Sequence, residues 1–135
     1  MRCHRFLMAA VILVVEGCAV GQSARSPVYN SVQQGVYSTT QAARGEAVWN
    51  SHCAECHFPE EYSNGYLYAW SGENLFDLYA YLRITMPYLA PGTLDNEQYV
   101  DVAAFLLSRN LLPAGDAELK ADQQALQGIL IEGPF

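Results

Sequence analysis

The residues of this chain best suited to chemistry stand together in His52-Cys53-Ala54-Glu55-Cys56-His57. Two thiols separated by two residues and followed at once by an imidazole form C-x-x-C-H, the pattern for covalent attachment of a c-type haem. The spacing lets the two sulfurs add to two vinyl groups along one edge of a porphyrin. The histidine beside the second thioether then comes up under the iron as proximal ligand. Two other chemistries use the same residue types. A thioredoxin-like dithiol wants a strand–helix–strand context, and no such pattern flanks the motif. A structural zinc needs four convergent ligands. Beyond the N-terminal segment, His52, Cys53, Cys56 and His57 fall within six consecutive residues, too local to close a tetrahedron. One covalently bound haem c, held by Cys53, Cys56 and His57, is the leading expectation.

The elements that must position these residues begin after an export signal. The chain has 135 residues, room for one domain. In residues 1–21, Arg2 and Arg5 precede an apolar run from Phe6 to Val15, too short to span a bilayer as a helix. Ala19 and Gly21 then suit cleavage before Gln22. Val15-Glu16-Gly17-Cys18 also resembles a lipoprotein box, with a lipid anchor on Cys18 as the alternative, although Glu16 fits that pattern poorly. A retained anchor is a third option. Export to the periplasm suits the motif, because c-type haem is generally attached outside the cytoplasmic membrane.

Residues 22–40 show no sustained period and read as a flexible linker. A helix is expected from about Thr40, a possible N-cap, into the haem motif. A second is expected over Asn96–Arg109, with Asp95 and Gln98 as a capping box and Tyr99, Val102, Ala103, Phe105 and Leu106 as its apolar stripe. Between them, Asn74–Ile84 reads as a helix burying Leu75, Leu78, Tyr79 and Leu82. Residues 114–135 form a tail with a short helix expected over Ala117–Leu130. Its apolar Ile129, Leu130, Ile131 and Phe135 are available for docking on the domain or on a partner.

Residues 41–113 resemble class I cytochrome c. Gly45 stands eight positions before Cys53, Trp49 holds the family's aromatic position, and Ala104-Phe105-Leu106 supplies its Ala-aromatic-Leu element. The resemblance implies an all-α fold, a small cytochrome c-like helical domain wrapped around one haem, with Gly45 and Phe105 meeting where the terminal helices cross. It also implies a methionine as sixth ligand, commonly followed by proline. Met86-Pro87 matches, and Met86 is the only methionine beyond the exported segment. A thioether is a soft ligand suited to haem iron; filling a core gap is the bland alternative. Trp70-Ser71-Gly72 is similar to a Trp-x-Gly element of cytochromes that serve quinoprotein dehydrogenases, and its indole N–H could reach a haem propionate or simply pack. One departure stands out. The family's Gly-Pro-x-Leu element, whose carbonyl orients the proximal imidazole, is missing from the stretch between His57 and Met86, which stand only 29 positions apart. The tyrosines within Tyr62–Tyr68 could cover the haem instead.

With His57 and Met86 both on the iron, substrate has no ready place to bind. The resulting expectation is an exported monohaem carrier of single electrons, free or as the cytochrome subunit of a dehydrogenase. Periplasmic redox proteins, a quinoprotein dehydrogenase or a terminal oxidase would be its partners. The alternative is an enzyme or sensor in which Met86 leaves and the open iron takes peroxide or a small gas. No repeat, phosphate-binding glycine loop, catalytic triad or basic nucleic-acid patch is present. The formal charge is −7. Removal of residues 1–21 would take away two positive charges and one negative and leave −8. From Gly45 to Leu82 there is no Lys or Arg, while Glu46, Glu55, Glu60, Glu61, Glu73 and Asp77 fall in that stretch.

Overall fold

A computed structural model describes residues 28–135. The export signal and the lipidation alternative at Cys18 lie outside the described residues. Four α-helices, α1 (Thr39–His52), α2 (Leu75–Thr85), α3 (Asn96–Arg109) and α4 (Gln123–Gln127), are joined by loops with short 3-10 turns. Among the described residues there is no β-strand, only isolated bridges. The all-α expectation holds.

Local sequence explains each start. Ser38, two residues before the expected Thr40, caps α1 by accepting the Gln41 N–H at 3.0 Å. Asn74 and Asp77 form a reciprocal capping box on α2. Gln98 reaches back to the Asp95 N–H at 2.9 Å at the start of α3.

Helix α3 is buried along most of its length and packs against both α1 and α2. The α1–α3 crossing is close because Gly45 lacks a side chain. A Cβ there would collide with the Asp101 carbonyl and stand 2.9 Å from Cβ of Phe105. Beyond the crossing, Trp49 packs on Phe105 with ring centroids 5.6 Å apart. Arg44 brackets the contact, pairing with Asp101 at 3.0 Å and with Glu118 at 2.9 Å. The guanidinium and the Ser38 hydroxyl hold the Glu118 carboxyl below the usual carboxylate range.

From Val28 on, the stretch read as a flexible linker is not one. Val32, Val36 and Tyr37 are buried in the core, and the Tyr37 hydroxyl donates to the Leu112 carbonyl at 2.6 Å. The tail is what it packs with. Gln41, itself buried, exchanges two amide hydrogen bonds with the backbone of Leu119, at 3.0 and 2.8 Å. Further along, the tail is extended between the lead-in and the start of α2. Leu130 receives the Val32 N–H and donates to Asn30, both at 3.0 Å, while Ile129 accepts the Leu75 N–H at 2.8 Å and Ile131 exchanges bonds with Gly72 and Glu73. Ile129 and Ile131 are buried. Only Gln123–Gln127 of the tail is α-helical, because these backbone pairings take up the groups a longer helix would use. The tail docks on its own domain.

Candidate functional site

Helix α1 ends where the motif begins. The Cys53 N–H bonds to the Trp49 carbonyl at 2.8 Å, and the Cys53 carbonyl then accepts from both Cys56 and His57 at 3.0 Å. This tight turn delivers Cys53 and His57 into a cavity of about 320 Å³. The end of α2 brings Leu82, Met86 and Pro87 to the same cavity, and α3 contributes Tyr99, Val102 and Leu106. The structure therefore brings Met86, 29 positions beyond His57, together with Cys53 and His57 of the motif around one largely apolar space. Cys56 is exposed and is not among the lining residues. Trp70 does not line the cavity either. It packs edge-on against Tyr81, with centroids 5.3 Å apart, and Tyr81 does line it.

The chemistry of this lining discriminates among the three uses of the motif. A redox-active dithiol needs a thiolate favoured by nearby positive charge, whereas burial pushes the Cys53 thiol up. Among the described residues no three His, Cys, Asp or Glu side chains converge to hold a metal ion, so zinc finds no ligand set among them. A haem fits better. The walls are largely aliphatic and aromatic, and an imidazole-bearing residue and a thioether-bearing residue, His57 and Met86, line the same space. The indole N–H of Trp49, a residue only 2 % exposed, is a buried donor with no partner among the described residues, and Trp49 lines the cavity. Such a donor calls for an acceptor.

Two side chains hold the ligand candidates in place, and neither role was visible beforehand. The Tyr62 hydroxyl lies 2.8 Å from Nδ1 of His57, with the two rings nearly perpendicular at 79°. The Tyr99 hydroxyl, from the apolar stripe of α3, donates to the Met86 carbonyl at 2.8 Å. The missing Gly-Pro-x-Leu element was a signal that His57 needed another partner. No sequence pattern announced that Tyr99 would reach Met86, thirteen positions earlier. Asn110, buried at the end of α3, was also missed; it ties down the loop that carries Tyr62.

Residues 40–106 match the family model described as cytochrome C oxidase, cbb3-type, subunit III. The match takes in the whole motif, Met86 and all but the last three residues of α3. No curated protein and no solved structure shows a significant match to the chain.

Proposed function

Residues 40–106 are a class I c-type cytochrome domain, and from that premise we propose that the protein is an exported monohaem electron carrier whose haem is linked to Cys53 and Cys56 and ligated by His57 and Met86. The carrying observation is that Cys53, His57 and Met86 line one apolar cavity. When bound, the haem supplies a one-electron Fe(II)/Fe(III) couple, with a potential raised by methionine ligation. The chain's own part is to bury and orient it. Leu82, Leu94, Val102 and Leu106 give the cavity an apolar lining, and Trp49 has a donor to spare for a polar substituent.

Tyr99 favours a carrier over an enzyme or gas sensor. Its hydroxyl pins the Met86 carbonyl to α3, which disfavours a sixth ligand that leaves. The signal-like residues 1–21 support export to the periplasm, as a free protein or anchored through Cys18. A terminal oxidase is the partner class favoured by the family description. The Trp-x-Gly likeness to quinoprotein-dehydrogenase partners gains no added support, since Trp70 stands outside the cavity lining.

The test is chemical. The denatured, exported protein is extracted with acid acetone and weighed by mass spectrometry. The expected result is one haem retained per chain; haem leaving with the solvent would falsify the assignment. In the folded, oxidised protein a weak sulfur–iron charge-transfer band near the red edge of the spectrum is expected for the carrier, and its absence would favour the open-iron alternative.

A further inference from the structure

We propose that the Tyr62 hydroxyl is the acceptor that orients the proximal imidazole of His57 and sets how much electron density it gives the iron, in place of the backbone carbonyl of a Gly-Pro-x-Leu element. This rests on the haem reading above. An imidazole that ligates through Nε2 carries its proton on Nδ1, and that N–H needs an acceptor to fix the ring. The Tyr62 Oη sits 2.8 Å from Nδ1. Among the described residues no other hydrogen bond reaches the His57 side chain.

Tyr62 is built to stay there. Its ring packs between Trp49, at 4.8 Å between centroids, and Tyr66, at 4.7 Å. Its backbone carbonyl accepts from Nδ2 of Asn110 at 2.9 Å. Asn110 is fully buried and uses its whole amide on this task. Nδ2 also donates to the Leu106 carbonyl at 2.8 Å, and Oδ1 accepts the N–H groups of Gly65 and Leu67 at 3.1 and 3.3 Å. Arg109 adds a bond to Ser63 at 2.9 Å. The C-terminal end of α3 thus fixes the loop, and the loop fixes the phenol. Tyr62 is a positioning residue acting through His57. An acceptor on Nδ1 makes the imidazole more basic and favours Fe(III), so it lowers the potential.

The experiment is Tyr62→Phe in the haem-loaded, full-length protein, which removes the oxygen and keeps the ring. The reduction potential should rise, and the His57 Nδ1–H resonance of the reduced protein should shift and exchange faster with solvent. Tyr68→Phe, which takes a hydroxyl from an exposed ring of the same loop, should move neither. If Tyr62→Phe leaves both readouts unchanged while haem stays covalently bound, the proposal is overturned and the carrier assignment stands. If haem extracts from the parent, both fall. Should Tyr62→Phe not fold, the parent decides: a nuclear Overhauser contact between His57 Nδ1–H and the Tyr62 ring supports the proposal, and a slowly exchanging Nδ1–H without one refutes it.

Discussion

Met86, at the C-cap of α2, is the proposed sixth ligand, and its surroundings fit that role. Its side chain lines the cavity with His57, its N–H continues α2 by bonding to Leu82 at 2.9 Å, and its carbonyl is held by Tyr99. The sulfur is therefore carried on a backbone fixed at both polar groups. Met86→Ala should leave haem attached through the thioethers but open the sixth position. The potential is expected to fall and cyanide to bind faster, since methionine ligation raises the potential and blocks access. Voltammetry and stopped-flow mixing check this, and a variant with the parent's potential and cyanide rate would remove Met86 from the iron. The principal ligand candidates at this scale could be read from the chain because they are motif residues. The hydroxyl partners of Tyr62 and Tyr99 could not be read from the chain, because a tyrosine at helical or loop spacing announces burial but not where its hydroxyl ends up.

At the scale of elements, the α1–α3 crossing makes a prediction whose sign differs from that of helix propensity. Glycine inside a helix costs about 1 kcal/mol relative to alanine, so Gly45→Ala should stabilise an isolated α1. In the folded protein the added Cβ meets the Asp101 carbonyl, a backbone atom that cannot rotate away, and crowds Phe105. Gly45→Ala is therefore expected to destabilise the haem-loaded protein on the order of 1–3 kcal/mol, the usual range for overpacking, with Gly45→Val worse. Denaturant midpoints decide it, and an alanine variant as stable as the parent would place the crossing elsewhere. Helix periodicity marked the apolar stripe that holds Phe105, and the resemblance to class I cytochrome c implied that Gly45 and Phe105 meet. The lead-in and tail were illegible for the opposite reason. Val32, Ile129 and Ile131 are buried where long-range backbone pairing joins irregular segments, and such pairing leaves no period in either one.

For the whole molecule the question is how the cavity finds a partner. Redox encounters use small, weak interfaces, so long-range charge governs their rate more than their contact area does. Glu61 lines the cavity itself. Glu73 and Asp77 line a shallow depression that shares Tyr66 and Tyr81 with the cavity. Acidic groups thus stand at the cavity and beside it, within a stretch that holds no Lys or Arg from Gly45 to Leu82. An acidic surface that serves only solubility would be spread without regard to the site; here some of it adjoins the site, which favours steering toward a basic docking face. The second-order electron-transfer rate with the redox partner should then fall steeply with salt, as the Debye length shrinks from about 30 Å at 0.01 M to about 10 Å at 0.1 M. Glu61→Lys and Glu73→Lys should each lower the rate at low salt and flatten its salt dependence, because each removes part of the attraction that salt screens. Stopped-flow rates across that range of ionic strength are the check. A rate indifferent to salt and to both reversals would reduce the acidic surface to a solubility device. A rate that climbs with salt would mean that the partner is itself acidic, and that exposed apolar groups such as Ile84, Tyr88 and Leu89, close to Met86 in the chain, make the contact instead.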